Sequence, residues 1–176
     1  MITNENQLAI KLSSDIKIAL DNTMKIALNV LLDYIEKDVY SYPAIWTNGS
    51  DGDEGRTRDF LNSWNSTKTE IVYNSLGSFA NAQIMQDKVL EHISPFIHGS
   101  DYKKGKLNSD NLSGIINDGL KKSHFNFPAI ESRPFWDDFI KWCDKELANT
   151  FYQECRKIGV PIQGGTFVYE AGIRKE

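Results

Sequence analysis

The fold turns on one stretch, residues 14 to 40, SDIKIALDNTMKIALNVLLDYIEKDVY. Ile16, Leu20, Met24, Ala27, Leu31 and Ile35 recur every three or four residues, which places them on one stripe of an α-helix. Ser13 or Ser14 is the expected cap, and Asp15 stands where the positive end of a helix dipole favours a carboxylate. No Gly or Pro interrupts the stretch, so at 1.5 Å per residue the helix extends roughly 40 Å. Pro43 blocks its continuation.

A second apolar row, Ile18, Ile26, Val30 and Leu32, falls largely outside that stripe. Two readings follow. Either the helix is embedded deeply in the core of its own domain, or one face covers a sheet while the other meets another subunit. Both make the helix the scaffold of the chain.

The strands are expected downstream. Arg56 to Trp64 reads as one helical turn leading into a strand, because Phe60, Leu61 and Trp64 are apolar while Thr57, Asn62 and Ser63 can bond local backbone groups. Thr67 to Ser75 reads as a strand, Leu76 to Phe79 as a turn, and Ala80 to Lys88 as the returning strand of a hairpin. Residues 1 to 12 suggest a short strand or a tail with an apolar foot, given Leu8, Ile10 and Leu12. Pro95 marks an edge or bend after the apolar set Val89, Leu90, Ile93, Phe96 and Ile97.

Toward the C-terminus, Gly99 to Asn111 is expected to be a surface loop, and Leu112 to Lys122 a short helix weakened by Gly114 and Gly119. The last helix has the clearest ends. Ser132 is the expected cap, Pro134 fits the first turn, and Asp137 and Asp138 suit its positive end. Arg156 and Lys157 suit its negative end, and Gly159 and Pro161 close it. Its inward stripe is Trp136, Phe139 or Ile140, Cys143, Leu147, Phe151, Cys155 and Ile158. Ile162 to Tyr169 is expected to be a terminal strand. Two long helices around a run of strands, without strand-helix-strand repetition, predict an α+β class, with the N-terminal and C-terminal helices packed on a small, mainly antiparallel sheet.

Composition narrows function. The chain has 176 residues, enough for one ordinary domain spanning 1 to 176, and no internal repeat is visible. Flexible loops are expected near 47 to 56 and 99 to 111. With 24 acidic and 20 basic residues, the net charge of −4 gives no global field for nucleic acid. No apolar run of membrane-spanning length and no signal peptide is present, so a soluble protein made in a cytoplasm is expected. Cys143 and Cys155 lie too far apart along one helix to bond to each other and read as reduced core thiols.

Catalytic groupings are mostly missing. His92, His98 and His124 lack the close Cys or His partners that zinc requires. Asp51, Asp53 and Glu54 superficially suggest a calcium cage, but the spacing of a helix-loop-helix site is absent, so a solvated loop is expected there. Asp137 and Asp138 point about 100° apart as neighbours on a helix, which suits capping better than acid-base work. No catalytic residue, metal or cofactor is expected, and the chain does not read as an enzyme.

The order of elements carries a resemblance. Thr57-Arg58-Asp59-Phe60-Leu61-Asn62-Ser63, Ser94-Pro95-Phe96-Ile97-His98-Gly99 and Arg133-Pro134-Phe135 follow the long helix in sequence. The chain resembles the tail-component family of tailed bacteriophages, the head-to-tail joining or tail-completion proteins of the lambdoid minor tail protein Z type. That family carries Thr-Gly-x-Leu-x-x-Ser after its first helix, Ala-Pro-Tyr-Val-Glu-x-Gly farther on, and a Pro-Phe helix start. Here Arg58 replaces the glycine and the second segment is one residue shorter. The match spans roughly residues 14 to 158; the stretch from 100 to 130 is longer than the family would suggest.

The resemblance implies a structural protein of the virion, assembled in the host bacterial cytoplasm into a homo-oligomeric ring of six copies at the neck. Its partners would be the connector on one side and the tail-tube or terminator protein on the other. DNA would pass through the lumen without specific binding. Ile26, Val30 and Trp46 are then candidates for burial between subunits, and Arg56 and Arg58 for pairing with acidic groups of an adjacent subunit. Trp64 reads as core. Alternatives are another phage component, such as a tail terminator, head-completion stopper or minor capsid protein, and a nucleic-acid-binding regulator.

Overall fold

The computed structural model describes residues 5–41, 58–74, 77–86, 109–119, 131–160, 162 and 167–171. The fold is α+β, with a long N-terminal helix, a C-terminal helical rod and short strands between them. Helix α1 is Glu5–Ile35, followed by a wider π-type turn, Glu36–Tyr40; α2 is Asp59–Asn62. Strands β1 (Trp64–Ser66), β2 (Glu70–Asn74), β3 (Gly77–Asn81) and β4 (Ile84–Gln86) come next. Helix α3 is Ser109–Asp118, and the C-terminal rod comprises α4 (Phe135–Trp142), a π-type turn (Cys143–Leu147) and α5 (Ala148–Lys157).

Helix α1 begins well before the expected serine cap. Ser13 and Ser14 lie inside it, and residues 5 to 12 are helical rather than a strand or tail. Good helix formers such as Leu8, Ala9 and Leu12 and the i,i+4 pair of Lys11 with Asp15 account for the extension. At the other end the Ser41 amide donates to the Glu36 carbonyl at 3.1 Å, a span of five residues that defines the wider turn.

The strands form two ladders rather than one sheet: β1 pairs with β4, and β2 with β3. The β2–β3 pair is antiparallel, with Ile71 opposite Ala80, Val72 opposite Phe79 and Asn74 opposite Gly77. Gly77 to Phe79, expected as a turn, therefore belongs to β3. The expected strand from Ala80 is split, because residues 82 and 83 leave the ladder between β3 and β4. There the Thr67 amide donates to the Gln83 carbonyl at 2.8 Å, and the Gln83 amide to the Thr67 hydroxyl at 3.0 Å. Phe167 to Tyr169 is not a strand: its described residues lie outside both ladders.

The chain divides into two compact units. The first combines described residues of Met1–Val30, Asn65–Gln86 and Ile140–Tyr169. Its core is Ala19, Leu20, Phe151 and Cys155, surrounded by Ile16, Met24, Ala82, Tyr152, Ile158, Ile162 and Phe167. Two buried polar side chains here, Thr23 and Glu154, have partners within the unit. The Thr23 hydroxyl donates to the Ala19 carbonyl at 2.8 Å, and the buried Glu154 carboxylate accepts from Asn22 at 3.3 Å and pairs with Lys157. The Thr69 amide donates to Asp21 at 2.7 Å, tying the start of β2 to α1. Burial raises the Asp21 pKa, but the Thr69 hydrogen bonds and the charges of Lys17 and Lys25 outweigh it and leave the carboxyl more acidic than usual.

The second unit combines described residues of Leu31–Trp64 and Asp87–Phe139 with a short piece after Tyr169. Leu31, Ile35, Val39, Phe60, Phe135 and Phe139 are its buried apolar side chains. Phe135, not Trp136, leads the inward face of the last rod: Phe135 is fully buried and Trp136 half-buried. Asp137 and Asp138 do sit in the first turn, where the dipole favours them. Ser132, however, does not cap. The fully buried Asn117 of α3 takes that role, its Oδ1 accepting from the Trp136 amide at 3.0 Å and the Asp137 amide at 3.3 Å. The Ser132 hydroxyl instead donates to the Asn117 carbonyl at 2.5 Å.

Helix α3 starts earlier than expected and stops at Asp118, because Gly119 takes φ +79°, a left-handed conformation that favours glycine and ends a helix. Gly159 closes the final rod in the same way, at φ +78°, with its amide donating to Arg156 at 3.0 Å and the Val160 amide to Cys155 at 2.9 Å.

Candidate functional site

Of the three segments that carry the family resemblance, the first is described from Arg58 onward and the third in full, and both can be built from the backbone up. The segment Ser94 to Gly99 lies outside the described residues, as do Trp46, Arg56, the acidic loop with Asp51, Asp53 and Glu54, and all three histidines.

Arg58, the second residue of the first segment, lies in the left-handed region, at φ 55° and ψ 15°, and is the only described non-glycine residue with positive φ. A Cβ costs roughly 1–2 kcal/mol there, and glycine costs nothing. This is the position at which the family pattern carries glycine, so a glycine would fit the turn without strain. The Arg58 carbonyl then accepts from the Asn62 amide at 2.9 Å, which makes the single turn of α2. Phe60, at the apolar position of the pattern, is buried. Ser63, at its last position, is fully buried, and its hydroxyl donates to the Phe60 carbonyl at 2.7 Å.

The third segment, Arg133-Pro134-Phe135, opens α4. Arg133 is buried, and its Nη1 donates at 3.0 Å to the carbonyl of Val39. Val39 belongs to the last turn before Ser41, where carbonyls lack helical partners and the dipole is negative, so a guanidinium is well placed. The Arg133 amide also donates to the Ile116 carbonyl at 2.9 Å, joining α3 to the same junction. Pro134, at the front of α4, has no amide to leave unpaired and accepts from the Asp138 amide at 3.0 Å.

The segments meet through aromatic rings. Phe60 packs edge-to-face on Phe135 at 5.5 Å and on Trp64 at 6.1 Å, while Trp64 stacks on Trp136 at 5.7 Å and 24°. Trp136 in turn contacts Phe139 at 5.5 Å. Residues some seventy positions apart in sequence thus form one aromatic cluster. Trp64, read as core from the sequence, is only half-buried in it.

The Arg58 side chain leaves this cluster for solvent. Its guanidinium pairs with Glu36 and lies over the Tyr40 ring at 5.4 Å, while the Tyr40 hydroxyl accepts from the Leu61 amide at 3.4 Å. Both charges are about half exposed, at 49 % each, so the pair contributes little by itself and its stacked geometry matters more. Arg58 is therefore engaged by an acid of its own chain. Ile26 and Val30, the other described interface candidates, are half-buried on α1.

Three electrostatic features complete the picture. Asp38 lies 3.8 Å from Lys37 Nζ, and burial, with Asp138 nearby, raises its pKa despite that lysine. Burial and then Asp144 push the Cys143 thiol up to about 12, and burial and then Glu154 raise Cys155. These thiols are protonated at neutral pH and suit packing, not nucleophilic attack. Tyr169 donates to Asp144, and its hydroxyl is pushed up to about 12, by burial first and then by that bond.

Sequence reasoning missed the two most informative polar residues, Asn117 and Glu36. Neither stood in a periodic pattern, and each acts on a partner far along the chain. It also missed the exposure of Leu8, Ile10 and Leu12 on α1, which only a continuous helix from Glu5 brings about.

Among the described residues, no group of three or more His, Cys, Asp or Glu could hold a metal ion, and no helix is long and apolar enough to cross a membrane. Comparison with protein-family models, with curated proteins and with solved structures gave no match to this chain.

Proposed function

We propose that this chain is a structural protein of a tailed-bacteriophage virion, acting in the head-tail connection as one subunit of a ring between connector and tail tube. Its task is assembly rather than catalysis. One surface meets the neck, another meets the tube, and the lumen lets DNA pass without specific contacts.

The observation that supports this reading most is the fit of the Thr-Gly-x-Leu-x-x-Ser pattern to the local geometry. Its glycine position adopts the left-handed conformation, its apolar position is buried, and its serine closes the turn. A chance match to a degenerate pattern has no reason to put a left-handed residue where the pattern asks for glycine. The contact between Phe60 and Phe135 adds that two of the segments belong to one cluster. An acidic net charge suits a conduit along which DNA must slide.

Particle assembly tests the reading. Lysates of a phage lacking the protein should accumulate filled heads and free tails, and adding the purified chain should join them. Heads and tails that join in its absence would overturn it, as would retention of the chain by duplex DNA instead of by neck or tube, with the salt dependence of phosphate contacts.

A further inference from the structure

The segment that follows the C-terminal rod returns along it. Phe167 packs on Phe151 at 5.4 Å between ring centroids, and the Tyr169 hydroxyl donates to Asp144. Asp144 lies in the π-type turn of the rod and Phe151 in α5, seven residues or about two helical turns farther on. From Phe167 to Tyr169 the segment therefore runs opposite to the rod. Val168, between the two, is 75 % exposed, so the side chains alternate between rod and solvent as those of an extended chain do.

Among the described residues, only side chains hold it there. No backbone-to-backbone hydrogen bond links residues 167 to 171 to a described helix or ladder, and Glu170 and Ala171 are exposed. Phe167 is the apolar anchor, half-buried against the cluster of Ala19, Leu20, Phe151 and Cys155. Tyr169 is the polar one. Burial, and then the bond to Asp144, push its hydroxyl up to about 12, so it keeps its proton and donates throughout the neutral range.

The helices beneath are fixed more firmly. Ala19 and Cys155 are fully buried, and Asn22 of α1 bonds Glu154 of α5 at 3.3 Å. A segment with few buried contacts and no backbone ladder opens at lower free energy than the core it covers. We propose that Phe167 to Tyr169 form a strap that lifts from the rod while the helices stay packed, and that the bond from Tyr169 to Asp144 is its latch. A lifted strap bares the Phe151 edge of the core and frees Phe167 and Tyr169 together. The device belongs to the fold of this chain and does not depend on the phage reading.

A nitroxide label on Val168→Cys reads the strap in the full chain. The site faces solvent, so the label disturbs neither anchor, and Cys143 and Cys155 are buried, so the introduced thiol takes the label. With the latch intact, the electron paramagnetic resonance spectrum should be dominated by a slow component. Tyr169→Phe and Asp144→Ala should each raise the fast component about fivefold, the effect of losing one hydrogen bond. The two together should raise it no further than either alone, because they remove the same bond. Phe167→Ala should make the label mobile outright. In the latch variants the urea midpoint should stay close to that of the parent and both native thiols should stay unreactive, which separates a lifted strap from an unfolded unit.

A label that is fast with the latch intact, or equally slow with and without it, overturns the strap. So do effects of Tyr169→Phe and Asp144→Ala that add, since the two residues would then act separately. A fast component that appears only as urea releases the native thiols would show that the segment opens with the whole unit, and would overturn it as well.

Discussion

Phe60 and Phe135 meet edge-to-face with ring centroids 5.5 Å apart, and through them the single turn of α2 is fastened to the first turn of α4. Phe135 is wholly buried and Phe60 nearly so. Phe135→Ala should cost about 3–5 kcal/mol of unfolding free energy, and Phe60→Ala a comparable amount. The double variant should lose about 1 kcal/mol less than the sum, since the ring contact disappears only once. Urea denaturation of the four proteins measures this directly; strict additivity would mean that the rings do not interact.

Arg58 offers a test of backbone strain against side-chain contact. Arg58→Ala keeps the left-handed strain while losing the Tyr40 stack and the Glu36 pair, so stability should fall by about 1 kcal/mol. Arg58→Gly loses the same contacts but relieves the strain. It should be about 1 kcal/mol more stable than the alanine variant and close to the parent protein. Thermal melts rank the three, and an alanine variant equal to the glycine one would remove the argument.

Asn117 caps a helix to which it does not belong. Asn117→Ala should destabilise by about 1–2 kcal/mol, because two amides at the front of α4 lose their acceptor in a buried place. Asn117→Asp keeps an acceptor for those amides but places a second carboxylate beside Asp118, which now accepts from the Asn117 side-chain amide at 2.8 Å. The aspartate variant should recover part of the loss and recover more of it as pH falls.

Asp38 and Asp21 should shift the pH dependence of stability in opposite directions. Burial and Asp138 raise the Asp38 pKa, so its charged form is penalised in the fold. That penalty is absent below the ordinary carboxyl pKa, grows as pH rises through the folded value, and is complete at neutrality. Asp38→Asn should therefore stabilise at pH 7, with the gain vanishing toward pH 3. The lowered pKa of Asp21 works the other way: Asp21→Asn should destabilise at pH 7, and the difference should shrink as acid protonates the parent carboxylate. Denaturant midpoints measured across that range check both signs.

The two thiols should be silent in the native protein. With Cys143 at about 12 and Cys155 also raised, and both buried, a disulfide reagent at pH 8 should react only as fast as the chain opens. Adding denaturant should release both at once, and a fast-reacting native thiol would contradict their burial.

Much of the helical framework was legible because helix periodicity is a local property. The stripe from Ile16 to Ile35 and the closing glycine of the last rod could be read from adjacent residues, and so could the turn at Asp59–Asn62. The errors have a common cause. Ser132 has the right chemistry for a cap, but Asn117 is held in place by α3 and reaches the amides first. Phe79 sits among turn formers yet pairs with Val72 in a ladder, which the strand partner decides and local propensity does not. At the candidate site, sequence singled out Arg58 but not its left-handed backbone, since that follows from how α2 is seated on the aromatic cluster. Glu36 was invisible for the same reason: its significance lies in a partner across space.

The cap from Asn117 also bears on how the protein folds as it is synthesised. The acceptor that the front of α4 needs is translated earlier than α4 itself, so the costly nucleation step meets a waiting partner when Trp136 and Asp137 emerge.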